Sequence, residues 1–348
     1  MRQFLLTFNH EIRNAPLTHL ARLLIQSVQD PDLFEAFLEY MPPGQIATFQ
    51  HLSGETFGEA LAQAFQRGRL PVIRRFIAIF RGMPEFRDIP GDTLGRMIRH
   101  RATMFGENFY EVASPLLSSM RHLNEIPLDD IVEIMKALIP ISNSTPEAFQ
   151  QFLTLFADDI RLLPPIVIGE LLEIAADCPQ PAILHALLEV IEGLDQLQEI
   201  SAEVLNKILP KIVRNFPLFK KFCSLFEKRF SELTPATLEQ AVVGIFARVN
   251  LAEVRSMVET LRTLPAFAAI TRATLEQLLL TVFSNSRPEF ANLFFEIFSG
   301  LESYFQISSE AKQTAWRASI KAGHQKLFEQ HLADLIQPQK LTEVVAFY

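Results

Sequence analysis

Apolar and polar residues follow one another along this chain on a helical period, and the whole pattern recurs. The stretch Ile270–Gln306 can be laid on the sequence before and after it, giving repeats that begin at Ala15, Leu52, Ile89, Ile126, Leu163, Ile200, Leu233, Ile270 and Ile307. Successive starts are 37 residues apart, except for 33 between Ile200 and Leu233. A fixed period of this size signals stacked supersecondary units.

Within a repeat, position 6 carries Leu20, Phe57, Leu94, Ile131, Ile168, Leu205, Leu238 and Leu275, and positions 9, 10, 13 and 14 are mostly apolar. Spacings of three and four make one apolar face, so the first half of each repeat reads as a helix. Its start is marked at position 2, by Ser53, Ser201, Thr234, Thr271 and Ser308 as caps and by Pro16, Pro90, Pro127 and Pro164 as residues suited to a first turn. Acids at position 4 (Glu55, Asp92, Asp129, Glu203, Glu310) suit the positive end of the helix dipole. A break near position 17, at Gly68, Gly106, Pro179, Pro217, Pro288 and Gly323, precedes a second amphipathic segment such as Val72–Phe80, Ile183–Leu188 or Leu293–Phe298. Each repeat therefore reads as helix, turn, helix and loop, and no clear run alternates as a strand would.

The ends depart from the pattern. Lys312 takes position 6 of the last repeat and Trp316 its position 10, as expected of a terminal repeat with one face in water. The short repeat carries Pro210 in mid-helix, which predicts a kink and a change of curvature, whereas Pro140 falls near a helix end. The fold class expected is all-α, a right-handed α-solenoid of about nine tandem helix-turn-helix repeats. Residues 1–14 would be an N-terminal cap segment, 15–306 eight repeats forming one solenoid, and 307–348 a capping repeat and tail.

Composition adds to this picture in three ways. With 49% hydrophobic and 21% charged residues, the chain is globular and far from the composition of disordered proteins. Thirty Phe against four Tyr and one Trp suit dry helix–helix layers, because Phe has no polar atom to satisfy. Two cysteines, Cys178 and Cys223, make neither a disulfide framework nor a metal cage and point to a reducing compartment. No apolar run reaches the roughly 18 to 20 residues of a membrane helix, and Phe4–Phe8 is too short for a secretory core. The location expected is cytoplasmic, with translocation into a host cell by a secretion system as the alternative.

At Ala64–Ile73, AFQRGRLPVI, the chain resembles the ankyrin repeat, whose helix-turn-helix reads roughly A-A-x-x-G-H-x-x-V-V-x-L-L-L. Gly323–Phe328, GHQKLF, is similar to the same G-H-x-x-V-V, and Thr234-Pro235 to the opening T-P. The period here is 37 residues rather than the ankyrin value of about 33, no repeat has T-P-L-H, and helix pairs of the HEAT kind are the rival. The resemblance implies a protein-binding scaffold without chemistry of its own, and a host-directed bacterial protein as one use for it.

Charge is segregated along the chain. Residues 67–101 hold nine Arg against three acids, 207–229 hold seven basic residues against Glu227, and 124–206 hold fifteen acids against Lys136 and Arg161. In a stacked array these become successive surface zones, which points to a protein or peptide partner recognised by charge. Candidate binding residues are Arg74, Arg75, Arg96, Arg99, His100, Arg101, Lys207, Lys211 and Arg214. Nucleic acid is disfavoured by the net charge of −8. The eight histidines fall at unrelated repeat positions, so no repeated metal site is expected, nor is a cofactor. Phosphate loops, zinc-binding H-E-x-x-H helices and G-x-S-x-G elbows are missing from the sequence. The alternative to a non-enzymatic scaffold is an enzyme or small-ligand protein using a groove near Cys178 and His185, the closest thiol and imidazole in sequence.

Overall fold

The structure, a computed structural model, describes residues 16–40, 46–67, 69–105, 108–141, 146–248, 250–284, 287–323 and 325–332. The expected cap segment 1–14, the break residues Gly68 and Gly106 and the tail beyond 332 lie outside the described residues. Every regular element described is helical, with no strand among the described residues.

The first helix of every repeat begins at its third residue. These are α1 (Leu17–Ser27), α3 (Gly54–Arg67), α5 (Gly91–Phe105), α7 (Leu128–Ile141), α9 (Pro165–Ala176), α11 (Ala202–Ile212), α13 (Pro235–Phe246), α15 (Arg272–Ser284) and α17 (Ser309–Ala322). The second helices are α2 (Pro31–Tyr40), α4 (Leu70–Phe80), α6 (Asn108–Leu117), α8 (Pro146–Leu155), α10 (Pro181–Ile191), α12 (Phe216–Phe226), α14 (Leu251–Arg262), α16 (Pro288–Phe298) and α18 (Gln325–Leu332). A third element that the periodicity did not reveal follows each of the first eight pairs. It is a short helical turn, at Ile46–His51, Pro84–Arg87, Leu123–Glu125, Ala157–Ile160, Asp195–Glu199, Glu227–Glu232, Pro265–Ala269 and Glu302–Phe305.

These turns contribute apolar side chains to the core at the borders between repeats. Phe49, Phe86, Ile160, Leu197, Phe230, Phe267 and Tyr304 are buried in them. Three residues on, the first residues of repeats 2 to 9, Leu52, Ile89, Ile126, Leu163, Ile200, Leu233, Ile270 and Ile307, are all at most 4% exposed. In seven of these eight junctions the first residue donates its N–H to the carbonyl three residues back, as Leu52 does to Phe49 at 2.9 Å. The Ser and Thr caps expected at position 2 also form: Ser53, Ser201, Thr234, Thr271 and Ser308 each accept the N–H three residues on. The prolines differ slightly from expectation. Pro16 and Pro164 stand one residue before the helix, in extended conformation, with carbonyls that accept from the first helical turn.

The chain divides into two compact units, 1–191 and 192–348. In the first, α1, α3, α5, α7 and α9 pack successively on one another, and so do α2, α4, α6, α8 and α10. In the second, α11, α13, α15 and α17 form one layer and α12, α14, α16 and α18 the other. Each unit is thus two layers of helices in which a repeat touches its neighbours. The position-6 side chains from Leu20 to Leu275 are all at most 2% exposed. Phenylalanine fills the space between layers: Phe57 of α3 lies 6.4 and 5.3 Å from Phe76 and Phe80 of α4 and 5.8 Å from Phe86 of the following turn. Each such ring or Leu, fully buried, contributes roughly 1.5 to 3 kcal/mol. Phe294, Phe295 and Phe298 are core as well, at most 4% exposed.

The short repeat absorbs its missing residues in turns. Helix α12 starts at position 17, two positions earlier than α14 and α16, and its short turn follows without a spacer. Pro210 lies in the last turn of α11 and not in mid-helix, so its missing N–H removes a bond close to where the helix ends in any case. At the other end of the second unit Lys312 is half-buried, and burial pushes its ammonium below the usual lysine range.

The junctions between repeats show a side-chain device. In the second unit, position 7 of one repeat accepts the backbone N–H at position 2 of the next: Asn206 from Thr234 at 2.9 Å, Glu239 from Thr271 at 2.5 Å and Glu276 from Ser308 at 2.8 Å. In repeats 2 to 4 the corresponding residues are Gly58, Gly95 and Val132, which offer no side-chain acceptor, and position 2 of the next repeat is Pro90, Pro127 and Pro164, which offer no donor. At these six junctions the N–H is either bonded or deleted. Ala21 and Gly169 offer no acceptor either, and the position-2 residues that follow them, Ser53 and Ser201, are exposed.

Candidate functional site

The nine candidate residues fall on three elements. Arg74 and Arg75 are exposed on α4, and Arg75 reaches Glu35 of α2 at 3.7 Å. Arg96, Arg99 and His100 are exposed on α5, whereas the side chain of Arg101 lies outside the described ones. Lys207, Lys211 and Arg214 are exposed on α11 and just beyond it. Lys207 pairs with Glu203 one turn back at 3.1 Å.

Two of the α5 arginines are engaged by carboxylates of the same chain. Arg96 binds Asp92 at 3.2 Å, an exposed pair one turn apart of the kind that contributes little. Arg99 crosses to α7 and meets Asp130 at 2.7 Å. Asp130 is 4% exposed, the sole buried charged residue among the described ones. Half-exposed Arg99 is therefore the counter-charge of a buried carboxylate. Arg99→Ala is expected to destabilise the chain by about 1 to 3 kcal/mol, because a buried acceptor loses its charged donor. Urea unfolding reads this as a lower midpoint, and Asp130→Asn in the same chain should restore part of it.

Pairing across repeats is general. Lys136 binds Glu170 of the next repeat at 2.9 Å, and this bond holds its ammonium above the usual lysine range despite some desolvation. Arg255 makes a two-pronged contact to Glu296 at 2.5 and 2.8 Å, which raises the guanidinium and lowers the carboxyl. Lys221 pairs with Glu192, and Arg121 with Asp88 at 3.2 Å. Arg229 and Arg248 donate instead to backbone carbonyls of the preceding repeat, at Gln198 and Val213. Counting charges in sequence blocks separates partners that stacking joins, so the basic and acidic zones are partly neutralised at their borders.

The Cys178 thiol lies in the turn between α9 and α10, half-buried, and donates to the carbonyls of Ile139 at 3.4 Å and Ile174 at 3.5 Å. Burial first, and Asp177 second, push its pKa up. Both features oppose thiolate formation, which a nucleophilic cysteine requires. The nearest recorded partner of the His185 ring is Glu189, one turn along α10 at 3.5 Å. Cys223 is buried in the core, and desolvation raises its thiol far above the ordinary range.

Among the described residues, no cluster of three His, Cys, Asp or Glu could hold a metal ion, and no helix is long and apolar enough to cross a membrane. No family model, curated protein or solved structure matches the chain.

Proposed function

We propose that the chain is a non-enzymatic scaffold for a protein or peptide partner, an ankyrin-like or HEAT-like array of about nine helix pairs whose exposed charged faces do the binding. The repeat register continues through residues 191 and 192 in sequence, which supports one right-handed α-solenoid. The observation that carries the reading is the division of labour within each repeat. The recurring apolar positions are buried against neighbouring helices, and the positions left exposed are mostly polar or charged and differ from one repeat to the next. Such a surface can be specified one repeat at a time without disturbing the packing. The setting proposed is the cytoplasm, with delivery into a host cell as the alternative.

Arg74 and Arg75 on α4 and Arg96, Arg99, His100 and Arg101 on α5, with Lys207, Lys211 and Arg214 as a further group, are the proposed partner-binding residues. The test is affinity capture from lysate with the wild type, with Arg74, Arg75 and Arg96 changed together to Glu, and with Lys207, Lys211 and Arg214 changed together to Glu. Arg99 stays in place because Asp130 depends on it. Partners that bind the wild type and are lost from a charge-reversed but fully helical variant uphold the reading. Identical partner lists from all three proteins overturn it.

A further inference from the structure

The exposed large apolar side chains of the first unit, among the described residues, are Leu155, Leu162 and Ile166, within twelve residues of one another. Leu162 and Ile166 are each 73% exposed. Both depart from the repeat. Leu162 precedes the first residue of repeat 5, where the other repeat borders carry His51, Asp88, Glu125, Glu199, Glu232, Ala269 and Gln306. Ile166 takes position 4, where the other repeats carry Thr18, Glu55, Asp92, Asp129, Glu203, Ala236, Ala273 and Glu310. The stacking of α3, α5, α7 and α9 continues one row of side chains from Glu55 through Asp92 and Asp129 to Ile166, with helix axes about 10 Å apart. Two strongly exposed aliphatic side chains therefore stand at the end of an edge otherwise lined with carboxylates.

Their surroundings carry a defined charge. Leu162 donates its N–H to the carbonyl of Asp159 at 3.0 Å, so the short turn Ala157–Ile160 holds Asp158 and Asp159 within one turn of it. The Asp158 side chain is fully exposed, with Arg161 at 3.9 Å as its nearest cation. Asp159 is harder to ionise than usual, through burial and through the adjacent Asp158 charge. Asp129 is exposed at the start of α7. Adjacent carboxylates favour an added positive charge, and exposed aliphatic side chains beside them favour an apolar anchor.

We propose that Leu162 and Ile166 anchor a docking site for a basic amphipathic segment of a protein partner, whose apolar side chains cover these two residues and whose Lys or Arg side chains meet Asp158, Asp159 and Asp129. The site is distinct from the basic residues named above and shares with that reading the assumption that the partner is a protein. Charge reversal at Arg74, Arg75 and Arg96 does not touch it, so either reading can fail while the other stands.

The test uses the full chain and a fluorescent 18-residue Lys/Leu amphipathic peptide, with a Glu/Leu peptide of the same apolar face as control, read by anisotropy at about 0.15 M salt. The wild type is expected to bind the basic peptide and not the acidic one. Ile166→Glu, which restores the side-chain type of repeats 2 to 4, should weaken binding about tenfold or more even though it adds a negative charge. Asp158→Asn with Asp159→Asn should also weaken it and flatten its salt dependence. Both sites are exposed, and a thermal melt confirms that the variants fold. No binding by the wild type, binding of both peptides alike, or equal or tighter binding by Ile166→Glu would each overturn the proposal. So would a wild-type dimer in sedimentation that Ile166→Glu dissociates, because the patch would then belong to a second copy of this chain.

Discussion

Leu238→Asp is expected to abolish the cooperative melt of the second unit. Leu238 is fully buried at position 6 of α13, the layer helix between α11 and α15, with Ala241, Val242 and Ile245 of its own helix equally buried. Removing the side chain alone would cost about 2 to 5 kcal/mol. The carboxylate adds several kcal/mol, because it would be buried among apolar side chains. Together these reach the range that single substitutions seldom attain and approach the whole stability of a domain of this size, about 5 to 15 kcal/mol. Circular dichroism against temperature is the measurement. Leu238→Met, which keeps the volume, should shift the midpoint by less than about 1.5 kcal/mol's worth. A wild-type melt from Leu238→Asp would show that position 6 does not face the core, and the register of all nine repeats would fail with it.

The burial of position 6 was legible because a core makes the same demand on each helix that lines it. Leu20, Phe57 and Leu94 through Leu275 occupy equivalent places, and the same helix start calls for Ser53, Thr234 or Pro164 at the same position. The short turn after each pair was not legible. It spans four to six residues in most repeats, at most two helical turns, and its apolar residues look like the tail of the preceding helix. Contacts between repeats were hidden for a different reason. Arg99 and Asp130 lie one repeat apart and in charge blocks of opposite sign, and nothing local says that position 11 of one repeat stands beside position 5 of the next. The exchange of Asn206, Glu239 and Glu276 for Gly58, Gly95 and Val132 was written in the sequence all the same. Reading each of these against position 2 of the following repeat would have found it.

The candidate site divides in the same way. The exposure of Arg74, Arg75, Arg96 and His100 followed from their helical phase, because the neighbouring Val72, Ile73, Phe76, Met97 and Ile98 had to be inside. The engagement of Arg99 did not follow, because it depends on a carboxylate buried by another helix. Leu162 and Ile166 carried a signal that composition conceals: each is unremarkable as an amino acid and anomalous against the other repeats at its position. Column-by-column comparison within one chain, with burial supplying the expected residue type, detects such sites where a count of charges cannot.

Gly54→Ala should destabilise the first unit although the same exchange in most helices is favourable by about 1 kcal/mol. Gly54 is the first residue of α3, and a Cβ placed there would lie 2.0 Å from the Asp88 carbonyl oxygen, 2.4 Å from its carbon and 2.9 Å from the Ile89 nitrogen. All three are backbone atoms at the entrance to the next repeat, where Ile89 is fully buried, so no rotamer change relieves the clash. Gly91 meets the same constraint one repeat on, against the His122 carbonyl oxygen and the Glu125 carbon, both at 2.6 Å. The other repeats carry side chains at this third position, from Leu17 to Ser309, so the glycines record an unusually close approach at these two junctions. Relief requires the short turn Pro84–Arg87 to move away from α3 and to pull Phe86 off Phe57, at an expected cost of about 2 to 4 kcal/mol, in the range of overpacked cores. Gly82→Ala is the matched control, since a Cβ there meets nothing within 4 Å, and it should stay within about 0.5 kcal/mol of wild type. Equal urea midpoints for the two variants would mean that the repeats do not approach as closely as described. A lower midpoint for Gly54→Ala alone would establish that the stacking of repeats 2 and 3 is set by backbone contact and not by the charges on their surface.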